Sequence, residues 1–453
     1  MTIAQHLLPP PESRILVIGL GMTGMSCARF LVNQGYEVAV TDSRELPPAL
    51  DELHRDLPNV AVFLGGFDEM AFQNADCLVV SPGVSIKHPL ISEARARAIP
   101  IMGDIEIFAM FAKAPVIAIT GSNGKSTVTT LVGEMARQAD YKVKVGGNIG
   151  TPALDLLDDS TELYVLELSS FQLETTSTLT TKAAVILNIS EDHMDRYENM
   201  QEYIHAKARI YKDSDVVVVN ADDENVIALG KSLSASRNIV HFTLNVPKQN
   251  DFGVIQKNGE KFLALGEEAL IAVAELKISG WHNIANALAA LALGRAAGLD
   301  MNAMLQTLKT FPGLEHRTQW LAEYRGVQWF NDSKATNIGA SIAAMQGLMV
   351  NKIVLIAGGQ GKDQDFSLLR DAVADRARCV ILLGEDADTL EKGLQGSVPV
   401  YHAKDMRDAV QQANTHALSG DAVLLSPACA SFDMFDSFAH RGEVFAQCVR
   451  EVC

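Results

Sequence analysis

Apolar residues come in short, β-branched runs along this chain. Three of the runs lead into a glycine cluster and then a helical pattern: "RILVIGLGMTGMSCARFL", "VIAITGSNGKSTVTTLVGEMA" and "KIVLIAGGQGKDQDF". A strand that runs into a glycine-rich turn is how open α/β sheets present ligands at the carboxyl ends of their strands. One unit falls in each third of the chain and no fixed period relates them, so the pattern predicts three α/β domains, not a tandem repeat. A turn at "PIMGD" and the Pro312–Gly313 break after the helical stretch "HNIANALAALALGRAAGLDMNAMLQTLKTF" place the boundaries at 1–101, 102–312 and 313–453.

Composition fits that picture. The 453 residues, 48% hydrophobic and 21% charged, suit a folded chain of roughly three domains of about 150 residues. With 38 Lys+Arg against 55 Asp+Glu the formal charge is -17, which argues against a nucleic-acid partner or an anionic-membrane surface. Any phosphate site must therefore carry its own cations. Cysteines at 27, 77, 379, 429, 448 and 453 form no C-x-x-C pair, which points away from a zinc knuckle or a disulfide framework and toward a reducing compartment. The opening "MTIAQHLLPPPESRILVIGL" lacks a basic segment followed by a cleavable apolar core, and no segment approaches about 18 uninterrupted apolar residues. The expectation is a cytoplasmic protein with no membrane span.

Gly19, Gly21 and Gly24 spell G-x-G-x-x-G between an apolar run and a helical pattern, and Asp42 closes the next strand, "EVAVTD". Glycines there let a pyrophosphate approach a helix N-terminus, and the acid accepts from a ribose hydroxyl. NAD and a UDP-sugar satisfy this fingerprint equally. "SPGVS" at 81–85 forms a second turn, the far wall of the same cleft.

The central "TGSNGKST" is a phosphate loop two residues short, because the glycine that should open a Walker A motif would fall on Ile119. What remains touches phosphate: Gly121 and Gly124 permit close backbone approach, Lys125 supplies a point charge and Ser126 a hydroxyl for Mg²⁺. Magnesium also needs a carboxylate on a neighbouring strand end, and Glu167 closes the strand "YVLEL". A further strand releases Glu191, Asp192, His193 and Asp195 into a loop, a cluster of metal-site or catalytic character.

Three function classes compete. An NAD-dependent oxidoreductase explains the first loop but leaves the central one without a role. A P-loop switch would need a guanine-reading N-K-x-D element, and none occurs. An enzyme that works on nucleotide phosphates with Mg²⁺ gives the central loop, Glu167 and the His193 cluster a role.

"TGSNGKST", "LELSSFQLE" and "NISEDHMDRY", followed by "HNIANALAA", "HRTQW", "NDSKATN" and "SPACASFDMFDSFAHRG", closely resemble the Mur ligase family over essentially the whole chain. The resemblance implies an N-terminal Rossmann-like domain, a central P-loop-type α/β ATPase domain and a C-terminal Rossmann-like α/β domain, acting as a monomer. It implies amide formation in peptidoglycan synthesis driven by ATP and two Mg²⁺ ions. "GLGMTG" and "SPACASFDMF" point within the family to UDP-N-acetylmuramoyl-L-alanine and D-glutamate as substrates, against the competing reading of a related amide ligase that adds a different amino acid or builds folate polyglutamate. By the same resemblance Met22, Thr23, Asp42, Ser43, Arg44 and Gly83 line the uridine diphosphate site, with Asn148 and Ser169 nearer the reacting end. Gly121, Ser122, Asn123, Gly124, Lys125, Ser126 and Thr127 grip ATP together with Asn286, Arg317 and Asp332. Ser126, Glu167, His193 and Lys207 hold the metal ions, and Lys207 is carbamylated. Its own spacing reads instead as a solvent-facing helical lysine. Lys334, Thr336, Lys362, Ser431 and Phe438 match the D-glutamate pocket. "PACASFDMF" also reads physically as a helix N-terminus at Ser431, where an anion is welcome. Gln360 departs from the aspartate that some members carry there.

Overall fold

A computed structural model of the chain describes residues 9–233, 237–278, 280–361 and 364–452. Three sheets follow one another in sequence, giving N-terminal, central and C-terminal α/β domains. In the first sheet β1 (Arg14–Ile18), β2 (Glu37–Asp42), β3 (Ala61–Leu64), β4 (Cys77–Val80) and β5 (Ile101–Met102) run parallel in the order 3-2-1-4-5. The winding direction reverses between β1 and β4, which opens a crevice outside their carboxyl ends. Both loops "GLGMTG" and "SPGVS" start there, and the Ser81 hydroxyl fastens them by donating to the Gly19 carbonyl at 2.8 Å. Gly24 has no room for a side chain, because a Cβ would lie 1.8 Å from the Gly19 oxygen.

The central sheet comprises β6 (Val116–Thr120), β7 (Val143–Gly147), β8 (Leu163–Glu167), β9 (Thr180–Ile186), β10 (Asp213–Asn220), β11 (Asn238–Phe242), β12 (Phe252–Lys257), β13 (Glu260–Leu265) and β14 (Glu268–Ala272). Their order is 14-13-12-11-10-9-6-8-7, parallel except for the antiparallel β12–β14 meander at one edge. Every residue of β6 and of β8 is buried, as expected of parallel strands covered on both faces. One cover is the helix Trp281–Ala297, apolar on nearly every side and packed against the helix Lys125–Gln138. It stops at Gly298, whose φ of +86° supplies the left-handed cap.

In the C-terminal sheet β15 (Gln319–Tyr324), β16 (Val327–Asn331), β17 (Ile353–Ala357), β18 (Ala377–Leu382), β19 (Val400–His402) and β20 (Ala422–Leu425) follow the order 15-16-20-17-18-19, with β15 antiparallel. Loops from the carboxyl ends of β16, β20 and β17 converge on Gln364. Its amide donates to the carbonyls of Gly361 (2.7 Å) and Ala428 (3.1 Å) and accepts from Ile338 N–H (3.1 Å). One sequence expectation changes here. Ser431 is buried in a turn whose carbonyl accepts from Phe435 N–H at 2.8 Å, and the helix begins only at Phe438. The small residues of "PACAS" are spent on close loop packing, so Ser431 does not stand at the start of that helix. Among the described residues no helix is long and apolar enough to cross a membrane.

Candidate active site

The neighbouring strands β8, β6 and β9 end side by side and bring three loops together. β6 delivers the short glycine turn, with Gly121 at φ +154° and Gly124 at φ +83°. Gly124 caps the helix Lys125–Gln138 and is pressed so close to Asn286 that a Cβ would lie 2.5 Å from its Oδ1. Backbone N–H groups and the positive end of the helix thus face the cleft, the arrangement that receives phosphate. Asn188, from the loop after β9, pins the turn: its side chain accepts from Asn123 N–H at 2.8 Å and donates to the Asn123 carbonyl at 3.1 Å. Lys125 curls over its own loop and donates to the Gly121 and Ser122 carbonyls, both at 2.8 Å.

Glu167 ends β8 and is 3% exposed. Its Oε1 accepts from Asn148 Nδ2 at 2.8 Å, while its Oε2 is buried with no hydrogen-bond partner. Leaving a carboxylate oxygen so is costly unless a cation belongs there. His193 stands in the loop after β9 with φ +60°, its ring edge-on to Phe171 at 4.8 Å.

Lys207 is buried, contrary to its surface reading from spacing alone. The helix Met200–Ala208 turns its Tyr203 and Lys207 face inward, and the ammonium donates to the Gly121 carbonyl at 2.9 Å while lying 4.6 Å from the Tyr203 ring centroid. Burial, and then Lys125 beside it, push Lys207 well below the ordinary lysine range. From the C-terminal domain Arg317 reaches across to donate to Ser126 Oγ at 2.6 Å. Burial lowers Arg317 as well, and it raises Asp332 to about 7 against the opposing bonds from Ser426 and Thr318. Three cations are crowded beside one short glycine turn, an arrangement a polyanion would relieve.

The N-terminal crevice is a cavity of about 560 Å³ lined by Met22, Thr23, Asp42, Ser43, Arg44 and Gly83, with Asn148 from the central domain. Burial pulls Asp42 up, but the Arg44 guanidinium (2.7 and 2.9 Å) and Leu20 N–H (2.7 Å) hold it below its ordinary value. Ser169 is not on this wall. It caps the helix Ser170–Glu174 and bonds to Gln172, which lines the cavity in its place and donates to Asp104 at 2.8 Å. A second cavity, about 330 Å³, is lined by Asn123, Gly124, Thr127, Asn286, Arg317, Asp332 and Lys334. Lys334 also lies 3.6 Å from the Phe438 ring centroid, so it joins this cavity to the loops that carry Thr336 and Ser431. Lys362 lies outside the described residues. Gln360 donates to Glu385 at 3.2 Å and forms a bridge with Ala430.

Asn188, Gln172, Phe171 and Arg196 were not singled out from the sequence. Each acts on another residue of the site, and the motifs hinted at them only by containing them, Asn188 and Arg196 in "NISEDHMDRY" and Phe171 and Gln172 in "LELSSFQLE".

Profiles described as Mur ligase MurD-like N-terminal domain, Mur ligase middle domain and Mur ligase glutamate ligase domain match residues 13–103, 119–294 and 316–429. The chain is 52% identical over 450 residues to a UDP-N-acetylmuramoylalanine–D-glutamate ligase of Nitrosococcus oceani, covering 99% of both chains. It is 54% identical over 438 residues to the protein of that name from Pseudomonas savastanoi, covering 96% of this chain and 97% of the relative. Among solved structures, a UDP-N-acetylmuramate-alanine ligase from Thermotoga maritima shares the fold at TM-score 0.61 and 19% identity, covering 98% of this chain and 100% of that one. Fold and cleft are those of a nucleotide-using, three-domain α/β enzyme. The chain belongs to the Mur ligase family.

Proposed function

We propose that this chain joins the terminal carboxylate of UDP-N-acetylmuramoyl-L-alanine to the amine of D-glutamate, as an ADP-forming, ATP-dependent ligase of peptidoglycan synthesis. The names of relatives above 50% identity over nearly the whole chain support the substrates. The observation that carries the chemistry is the partnerless Glu167 oxygen beside a short glycine turn crowded with cations.

In this reading domains 1–101, 102–312 and 313–453 hold UDP, ATP and amino acid in turn. Met22, Thr23, Asp42, Ser43, Arg44 and Gly83 bind the uridine diphosphate, with Asn148 and Ser169 nearer the alanine. The turn 121–127, Asn286, Arg317 and Asp332 bind ATP; Lys334, Thr336, Lys362, Ser431 and Phe438 receive D-glutamate. Ser126, Glu167, His193 and Lys207 would hold two Mg²⁺ ions, whose charge would offset repulsion between carboxylate and triphosphate. Burial lowers the Lys207 pKa and so favours the free amine, the form that is a nucleophile for carbon dioxide. Forming the N–C bond and shedding a proton would turn Lys207 into the oxygen ligand that a hard cation prefers.

The alanine carboxylate oxygen bonds to the γ-phosphorus as the bond to ADP breaks. The amine of D-glutamate then adds to the acyl-phosphate carbonyl, loses a proton and expels phosphate. Lys125 and Arg317 offset the charge that spreads over the transferring group. An acyl phosphate hydrolyses in water, so the site must be covered. Contacts between the C-terminal and central domains, Arg317 to Ser126 and Asn337 to Asn123 and Asp192, support such closure. We place the enzyme in the cytoplasm as a monomer, as the family resemblance implies. A phosphate-release assay with ATP, Mg²⁺, the UDP-linked acceptor and a panel of L- and D-amino acids tests the reading. Strict dependence on D-glutamate with ADP as product is expected; AMP as product, or turnover indifferent to the amino acid, would defeat it.

A further inference from the structure

We propose that Arg196 is a positioning residue that couples the UDP-acceptor cleft to the metal–nucleotide loop, an inference that rests on the reading of those two sites given above. Arg196 lies three residues past His193, with its side chain only 13% exposed. Its guanidinium leaves the central domain and takes hold of the N-terminal one: Nη1 donates to the Pro82 carbonyl at 3.3 Å and Nη2 to the Val84 carbonyl at 3.0 Å. Those carbonyls flank Gly83, which lines the UDP cavity. Glu174 balances the charge, accepting from Nη2 at 3.0 Å.

The other end of the linkage reaches the phosphate loop. Arg196 lies 4.4 Å from the centroid of Phe171, and the same ring meets His193 at 4.8 Å. The Arg196 backbone N–H donates to the His193 carbonyl at 2.9 Å, closing the turn on which His193 is held at positive φ. Phe171 also stacks on Tyr197 at 6.0 Å, Tyr197 packs on Tyr203 at 5.3 Å, and the Tyr203 hydroxyl bonds to Ser122 Oγ at 3.0 Å. A displacement of loop 82–84 by a UDP ligand is therefore passed through packed groups to both the His193 loop and the glycine turn. A planar fork that bonds two carbonyls and a carboxylate while stacking on a ring is a task for arginine; an ammonium cannot do all of it.

An interdomain staple alone would hold the domains together without linking their ligands. The seam supplies a control, because Lys87 pairs with Glu198 and Glu202 across it at an exposed site where such pairs contribute little. Calorimetric titration of the full chain should use the UDP-linked acceptor and a non-hydrolysable ATP analogue with Mg²⁺, each alone and in the presence of the other. In the unsubstituted chain each ligand tightens the other by about tenfold, and reciprocity requires the two factors to match. In Arg196→Met the factor falls to within about twofold of unity, while each ligand alone binds within about threefold of the parent. Arg196→Lys keeps a charge for Glu174, loses the fork and loses most of the coupling, and it decides the matter if the methionine variant does not fold. Lys87→Ala keeps full coupling. Parent-like coupling in the Arg196 variants, or none in the parent although both ligands bind, would overturn the inference alone. A parent chain that binds neither ligand would instead overturn the reading of the sites.

Discussion

Replacing Lys125 by alanine separates the proposed work of this side chain on phosphate from its work on the fold. In the ligand-free chain its ammonium makes two hydrogen bonds, to the Gly121 and Ser122 carbonyls at 2.8 Å, each worth about 1 kcal/mol net. Against them stand burial and the neighbouring Arg317 charge, which lower its pKa although Glu167 and Asp192 pull the other way. These terms oppose one another, so the melting temperature should move by no more than about 4 °C, the equivalent of roughly 1 kcal/mol. Transition-state stabilisation has no such compensation. A unit charge about 4 Å from a phosphoryl oxygen at an effective dielectric of about 20 contributes about 4 kcal/mol, and measured losses of single donors aimed at developing charge run to about 10²–10³ in rate. Steady-state phosphate release at saturating substrates should therefore fall by about 10²–10³. Calorimetric melting of the same preparation supplies the stability half. Turnover within about tenfold of the parent would refute the assignment of Lys125 to the phosphates. A collapse in melting temperature would refute the claim that its contributions to the empty fold cancel.

Gly24→Ala places a Cβ 1.8 Å from the Gly19 oxygen and 3.0 Å from Ser81 Oγ, so it should cost at least about 1–3 kcal/mol and weaken binding of the UDP-linked acceptor. Unchanged melting and acceptor affinity would contradict the close approach. Burial raises Asp104 from 3.8 to about 6. Below pH 3.8 folded and unfolded states both hold the proton; between there and about 6 only the folded state keeps it, so this group's stabilisation is full in acid and is lost as pH rises, by at most about 3 kcal/mol. Asp104→Asn should remove that slope in urea unfolding between pH 4 and pH 7, and an identical pH profile in the variant would exclude the assignment. Lys207→Arg keeps a cation but cannot take up carbon dioxide, so turnover should drop by at least about 10². A carbamate resonance seen with ¹³C-bicarbonate in the parent should be absent from the variant, and persistence of full activity would remove Lys207 from the metal site.

Much of the site could be read from the chain because its parts are local. A β-branched run that meets a glycine fixes a strand end and its turn within about ten residues, and this located the crevice at Gly19, the glycine turn at Gly121 and the acid at Glu167 without knowledge of the rest. The order of the motifs also placed three sheets in succession. Side-chain surroundings were a different matter. The spacing of Lys207 gave its helix face but not what covers that face, and packing of Tyr203 and Lys207 onto the glycine turn made a surface-type residue one of the most buried cations in the protein. "PACASFDMF" fixed a cluster of small residues, whereas a turn closed by Phe435 N–H decided that they build a loop instead of a helix start. The contact of Arg317 with Ser126 joins positions 191 apart, and that of Arg196 with Pro82 joins positions 114 apart. Sequence determines what each short segment can become, because backbone preference and residue chemistry act over a few neighbours. Only the packed tertiary structure decides which charges meet, because that depends on how whole domains settle against one another.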